Sequence, residues 1–193
     1  MMKIAIFASG SGTNAEAIIH AARDGLLDVE VALIVTDKPN AKVIERANLF
    51  NIPCFIADPK TYETKADFEQ DVIRELGKCG VSFVVLAGYM RLIGPTLLNA
   101  YEGRMVNIHP SLLPSFPGLD AIGQAFKAKV KITGVTIHYV DAGMDTGEII
   151  AQEPVRIEED DTVDSLQKKV QAVEHELYPK TIQTIIDRTK EVG

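Results

Sequence analysis

The feature that most constrains the fold is a repeated alternation, in the first half of the chain, between short apolar runs and amphipathic stretches. Amphipathic helices are predicted at residues 14–24, 41–50 and 65–78. The apolar runs between them are nearly continuous, as in strands buried on both faces of a parallel sheet. They cover residues 3–8, 30–36, 53–57, 82–88 and 105–109. With right-handed crossovers, these βαβ units predict an α/β fold with a doubly wound, mostly parallel sheet.

The second half of the chain changes to alternating patterns that favour antiparallel strands. Two such segments, residues 132–141 and 147–157, flank the loop "AGMDTG" and predict antiparallel additions at the far side of the sheet. A closing helix is predicted next, with Pro179 as a kink. Its apolar residues recur every three or four positions, at Val163, Leu166, Val170, Val173 and Leu177. Without a linker-like stretch, residues 1–193 are expected to form a single domain.

Composition and charge narrow the class of protein. A 46% hydrophobic and 24% charged composition is ordinary for a soluble globular domain. The net charge of -7 argues against a nucleic-acid-binding protein but leaves room for a local anion site. Cys54 and Cys79 have no C-x-x-C spacing and the N-terminus has no cleavable signal pattern, which predicts a cytoplasmic protein with reduced thiols. No apolar run approaches the roughly 20 residues of a membrane-spanning helix, so no membrane partner is expected.

The segment "ASGSGTN", residues 8–14, lies between the first predicted strand and the first helix. Its glycines allow a sharp turn, and the free N–H groups at the helix start can bind an anion together with Thr13 and Asn14. The pattern is neither G-x-G-x-x-G nor a Walker loop, which favours one phosphate monoester over a dinucleotide or triphosphate. A tight turn with Thr13 or Asn14 capping the helix is an equally good explanation.

Further polar signals follow the later strands. "LAGYMRLIGP", residues 86–95, offers apolar side chains beside free backbone groups, although a strand turning into a helix explains it as well. In "MVNIHPSLLPSFPG", Asn107 and His109 lie two apart and share one face of a strand. Asp145 in the glycine-rich loop is a carboxylate that could reach the imidazole. His20 and His138 are interpreted as structural, and His175 is left open.

Four of these segments carry a resemblance to a known family. In their order along the chain, "SGSGTN", "LAGYMRLI", "NIHPSLLP" and "VDAGMDTG" resemble the glycinamide ribonucleotide formyltransferases, folate-dependent enzymes of purine synthesis. The resemblance spans nearly the whole chain and implies a single Rossmann-like formyltransferase domain. It implies that the chain transfers the formyl group of 10-formyltetrahydrofolate, a co-substrate, to the amine of glycinamide ribonucleotide.

The same resemblance assigns roles to individual residues. The catalytic group would be Asn107, His109 and Asp145. The ribonucleotide phosphate would be held by Gly12, Thr13 and Asn14, and its amine would face Glu174. The folate would contact Lys65, Met90, Arg91, Leu92, Ile93 and Asn107. Two positions depart from the family pattern, Leu119 where a basic or polar residue is common and Glu148 where proline is frequent.

These residue types suit formyl transfer. A neutral amine attacks the formyl carbon, oxygen gains negative charge, and the folate nitrogen leaves with a proton. Asn107 can donate a hydrogen bond to that oxygen, His109 can supply a proton, and Asp145 can orient the imidazole ring. No metal is expected, because the histidines, cysteines and acidic residues lack the usual ligand spacing.

Other classes of protein share part of this pattern. A formyl-folate hydrolase or a methionyl-tRNA formyltransferase would use the same catalytic residues, but each resembles a longer chain with an added domain. A non-catalytic mononucleotide-binding protein would need only residues 8–14, with Asn107 and His109 as packing residues. The sequence leaves the oligomeric state open.

Overall fold

The predicted alternation produces one seven-stranded sheet. The structure is a computed structural model that describes residues 1–192. The strands are β1 (Met2–Phe7), β2 (Val29–Thr36), β3 (Cys54–Ile56), β4 (Phe83–Leu86), β5 (Met105–His109), β6 (Ile132–Tyr139) and β7 (Ile149–Arg156). Their order is β3-β2-β1-β4-β5-β6-β7, parallel from β3 through β5 and antiparallel at β6 and β7. The predicted doubly wound sheet with antiparallel additions is therefore confirmed.

Within residues 1–192, six α-helices cover the two faces of this sheet. They are α1 (Thr13–Arg23), α2 (Val43–Leu49), α3 (Lys65–Lys78), α4 (Pro95–Ala100), α5 (Ala121–Ala128) and α6 (Val163–Val192). Side chains of α1, α2 and α6 share one buried cluster with alternate strand residues such as Ile4 and Ile6. Side chains of α3 and α4 pack against the opposite face, which includes Ala5 and Phe7. The period-two alternation of β1 thus divides the core into two layers.

Some local elements differ from the sequence prediction. No helix was predicted for α5, whereas α4 begins at the end of residues 86–95, for which a strand turning into a helix was one of the two explanations. Pro179, the predicted kink, lies inside α6, which the structure describes as one continuous helix. Its neighbours Tyr178 and Ile182 are almost fully buried, so packing on the sheet supports the helix on both sides of the proline. Among residues 1–192, no helix is long and apolar enough to cross a membrane.

The strand order reverses between β1 and β4, which neighbour each other at the centre of the sheet. In open α/β sheets, ligands bind in the crevice that such a reversal leaves at the carboxyl ends of the strands. The segments that follow β1, β4 and β5 all begin at this edge. The topology therefore brings three polar segments from the sequence analysis, residues 8–14, 86–95 and 105–118, to the same edge of the sheet.

Candidate active site

A cavity of about 510 Å³ lies at this edge. Residues following β1, β4 and β5 form its floor, and residues 118–122 and 143–145 together with α6 complete its walls. Of the predicted site residues, all but Lys65 line it: Gly12, Thr13, Asn14, Met90, Arg91, Leu92, Ile93, Asn107, His109, Asp145 and Glu174. The volume and the mixed apolar and polar lining are typical of a small-molecule site.

The turn after β1 is built so that only glycine fits at position 12. Gly12 has φ +72° and precedes the first residue of α1. A Cβ atom there would lie 2.6 Å from the Cγ2 atom of Val43. Arg46 donates from Nε to the Ser11 carbonyl (2.6 Å) and pairs with Glu16, which ties the turn to α2. Thr13 and Asn14, the first residues of α1, line the cavity, and the free N–H groups of a helix start can bind an anion.

The last helix contributes a buried carboxylate beside this turn. Asn14 donates from Nδ2 to Glu174 Oε2 over 3.3 Å, joining the first and last helices. Burial raises the pKa of Glu174 to about 7, and the hydrogen bond from Asn14 opposes that rise. A carboxyl group that changes charge near neutral pH can accept a proton from a bound amine or pair with its ammonium form.

His109 is held from both sides of its ring. Its Nε2 atom lies 2.9 Å from the Phe116 carbonyl, and its Nδ1 atom lies 3.5 Å from Asp145 Oδ2. Asp145 also accepts a hydrogen bond from the backbone N–H of Gly118 (2.9 Å). Since a carbonyl and a carboxylate are both acceptors, only the doubly protonated ring can donate to the two at once. Asn107 lies on the same face of β5, half-buried at the cavity wall.

His138 is a cavity residue that the sequence analysis treated as structural. Its Cα is the cross-strand partner of Asn107, and its Nε2 atom lies 3.7 Å from Asp145 Oδ1. The Nδ1 atom lies 2.8 Å from the Tyr139 carbonyl, whereas Nε2 is buried without a hydrogen-bond partner within residues 1–192. Asp145 thus stands between two imidazoles. The sequence analysis missed this position because His138 comes opposite Asn107 only through the register of β5 against β6. The sequence alone does not fix that register.

The segment after β4 forms the apolar wall of the cavity. Met90 and Leu92 are 61% and 49% exposed, whereas Ile93 is buried beneath them. Gly88 has φ +79°, which allows the chain to turn sharply as it leaves β4. Exposed apolar side chains at a cavity wall suit a flat, partly aromatic ligand.

Three other residues from the sequence analysis lie elsewhere or on the rim. Lys65 is exposed at the first turn of α3, next to Gly94 and outside the cavity lining. Leu119 is 73% exposed on the rim, where its side chain enlarges the apolar wall. Glu148 is exposed and uses its carbonyl to accept from the Tyr139 N–H (2.9 Å).

The remaining histidines and the acidic residues give no metal centre in the described part of the chain. No group of three or more histidine, cysteine, aspartate or glutamate side chains there is placed to hold a metal ion. His20 is exposed and packs edge-on against Phe50. His175 lies outside the cavity lining, and burial lowers its pKa.

Comparison with known proteins assigns the chain to a family. Residues 2–182 match the protein family described as Formyl transferase. The chain belongs to this family. A phosphoribosylglycinamide formyltransferase of Bacillus subtilis is 54% identical over 186 residues, covering 96% of this chain and 95% of that protein.

Solved structures of the family agree with the architecture. A phosphoribosylglycinamide formyltransferase from Bacillus halodurans is 62% identical, with a TM-score of 0.94 and coverage of 97% of this chain and 96% of that one. A glycinamide ribonucleotide transformylase from Geobacillus kaustophilus is 57% identical, with a TM-score of 0.93 and coverage of 96% and 98%. The trifunctional purine biosynthetic protein adenosine-3 of Gallus gallus is 36% identical over all of this chain but only 19% of its own length.

Proposed function

We propose that this chain transfers the formyl group of 10-formyltetrahydrofolate to the amine of glycinamide ribonucleotide, giving formylglycinamide ribonucleotide and tetrahydrofolate in purine biosynthesis. The observation that carries the proposal is one cavity that joins an anion-binding turn, an apolar wall and an Asn–His–Asp group. Relatives that this chain covers almost completely bear the name phosphoribosylglycinamide formyltransferase.

The turn at Gly12 to Asn14 holds the ribonucleotide in this proposal. Its N–H groups and the Thr13 hydroxyl bind the phosphate at the start of α1, where the helix dipole favours negative charge. Glu174 then faces the amine from α6 and helps to keep it neutral, because a carboxylate whose pKa is about 7 can take up its proton.

The folate lies along the wall formed by Met90, Arg91, Leu92 and Ile93 and ends near Asn107. In this proposal Lys65, which is exposed on α3, meets a negatively charged tail of the folate outside the cavity. No metal takes part in this proposal; the protein supplies hydrogen-bond donors and a proton.

In this proposal, side chains of β5 and of the 143–145 loop carry the catalytic roles. Asn107 donates to the oxygen that gains negative charge, which lowers the barrier most if the donor is already in place. In this proposal His109 supplies charge-assisted hydrogen bonding or a proton from Nδ1 to the leaving nitrogen, because the Phe116 carbonyl already occupies Nε2. Asp145 lies 3.5 Å from His109 Nδ1 and holds the ring, while its own bond from the Gly118 N–H fixes the carboxylate.

We further propose that residues 1–193 form a single formyltransferase domain that acts in the cytoplasm on small molecules, without nucleic-acid or membrane partners. The match over residues 2–182 and the net charge of -7 support this.

The test is a formyl-transfer assay with purified protein. With glycinamide ribonucleotide and 10-formyltetrahydrofolate together, we expect deformylated folate and formylated ribonucleotide to appear in equal amounts. Two control reactions omit the ribonucleotide or replace it with methionyl-tRNA. Folate deformylation without the ribonucleotide would instead identify a hydrolase, formylation of the tRNA would identify the other transferase, and no turnover at all would favour a mononucleotide-binding protein.

A further inference from the structure

The wall segment of residues 88–94 must keep its shape without regular secondary structure. It connects β4 to α4, and its exposed side chains Met90 and Leu92 are the proposed folate contacts. An irregular segment presents a rigid surface only where other groups fix its backbone. Two buried carboxylates, Asp37 and Glu69, lie behind this segment and outside the cavity lining.

The first carboxylate acts near the start of the segment through a serine. The Met90 N–H donates to Ser9 Oγ (2.9 Å), and Ser9 Oγ donates to Asp37 Oδ1 (2.5 Å). Ser9 and Asp37 are 7% and 6% exposed, so this chain of hydrogen bonds is shielded from water. The Ser9 N–H also donates to the Gly88 carbonyl (3.0 Å). The wall segment and the anion-binding turn are therefore tied to each other at Ser9.

The second carboxylate acts directly at the end of the segment. The Gly94 N–H donates to Glu69 Oε2 over 2.8 Å, and Glu69 is only 2% exposed. A Cβ atom at position 94 would lie 2.3 Å from Glu69 Oε1 and 2.9 Å from the Cε atom of Lys65. The carboxylate thus packs directly against the Gly94 backbone, with the stem of Lys65 beside it. Such a close approach requires glycine.

The residue before Glu69 supports the middle of the segment. The guanidinium carbon of Arg91 lies 5.1 Å from the centroid of the Phe68 ring. Burying a carboxylate is unfavourable, and apolar side chains could fill the same space at less cost. Glu69 accepts a hydrogen bond from the Gly94 N–H. We therefore expect the benefit of Glu69 to be that it fixes the position of the Gly94 backbone.

We propose that Asp37 and Glu69 are positioning residues for the formyl-folate, acting through the backbone N–H groups of Met90 and Gly94. This inference rests on the proposed function, since it assumes that residues 90–93 contact the folate. The two anchors differ in reach. Glu69 accepts a hydrogen bond from the wall segment directly, whereas Asp37 acts through Ser9, which also begins the anion-binding turn.

The experiment compares Glu69→Leu, Glu69→Gln and Asp37→Leu with the wild type. Glu69→Leu leaves the Gly94 N–H without an acceptor, whereas glutamine keeps one at the same place. We expect Glu69→Leu to raise KM for the formyl-folate about tenfold with KM for the ribonucleotide within about twofold, and Glu69→Gln to restore most of the loss. Asp37→Leu should raise both KM values. Glu75→Leu is the matched control, because Glu75 lies on α3 and pairs with Lys78.

A second measurement needs no substrate. Backbone amide hydrogen exchange of residues 88–94 should be faster in Glu69→Leu than in the wild type, Glu69→Gln or Glu75→Leu. This readout separates the two proposals, because a wild-type protein without formyl transfer refutes the proposed function while the exchange still tests the anchors. If Glu69→Leu does not fold, Glu69→Met, which also lacks a strong acceptor and is close to glutamate in length, is measured in its place.

The proposal is overturned by any of three results with folded protein. These are unchanged exchange of residues 88–94 in Glu69→Leu, equal increases in both KM values for that variant, and a Glu69→Gln variant as impaired as Glu69→Leu. The last result would mean that the charge of Glu69, rather than its acceptor oxygen, is what the protein uses.

Discussion

Single side chains in the cavity differ in how firmly the protein holds them. His109 has an acceptor on each side of its ring, and Asp145 receives a backbone N–H as well as facing two imidazoles. Asn107, on β5, lines the same cavity as these groups and the wall segment. A donor fixed by a strand is already in place when charge develops on the substrate, so its loss should affect the rate more than the stability.

Asn107→Ala tests this donor. We expect kcat to fall about 10²-fold or more, the scale for removing one preorganised donor, with little change in the melting temperature. Asn99→Ala, on the exposed side of α4, is the control for amide removal. A loss of activity that only follows a loss of folded protein would assign Asn107 to packing.

A double-mutant cycle tests whether His109 and Asp145 act as one unit. His109→Asn removes the proton donor, and Asp145→Asn removes the group that holds the ring, so each should lower kcat. The double variant should be scarcely worse than His109→Asn, because residues that act together lose their function together. Fully additive rate losses would show that Asp145 acts independently of His109, for instance through His138, which lies 3.7 Å away.

Among the elements, the strands were predictable and several of the contacts between elements were not. The apolar runs located all five parallel strands, because a strand buried on both faces must be apolar throughout. The sequence also indicated that Asn107 and His109 share a face, since strand side chains alternate. It could not indicate that Asn107 pairs with His138, or that Glu69 reaches Gly94, because register and helix packing depend on the whole sheet.

The turn between β1 and α1 gives a prediction at this scale. Changing Gly12 is a poor test, since its φ of +72° and the contact with Val43 would disturb the fold. Thr13→Val keeps the shape and the backbone N–H but removes the hydroxyl. We expect KM for the ribonucleotide to rise about tenfold with KM for the folate unchanged, and Thr13→Ser to restore it. Equal effects of Thr13→Val on both substrates would contradict the phosphate assignment.

Across the whole molecule, α6 closes the fold by packing on the sheet and on α1. Tyr178 on this helix donates to the carbonyl of Leu86 at the end of β4 (2.6 Å), and Glu174 meets Asn14 one turn earlier. The apolar periodicity of this helix was visible in the sequence. The burial of Glu174 was not visible in the sequence, because its exposure depends on how α1 packs against this helix.

The burial of Glu174 predicts a pH dependence of stability with a definite sign. Its pKa rises from an ordinary 4.5 to about 7 in the folded protein, so the folded state binds this proton more tightly than the unfolded state. The resulting stabilisation is complete below pH 4.5 and is lost as the pH rises to about 7. Glu174→Gln carries no such proton and does not lose this stabilisation. Relative to the wild type, its free energy of unfolding should therefore rise by up to about 3 kcal/mol between pH 4.5 and 8. Denaturant unfolding of both proteins across this range measures the difference.

Glu176→Gln is the control, because Lys180 lowers the pKa of that exposed carboxyl and places its titration below this range. If wild type and Glu174→Gln keep a constant difference in stability from pH 4.5 to 8, the pKa of Glu174 is not raised in the folded protein, and its carboxylate is too weak a base to keep the ribonucleotide amine neutral.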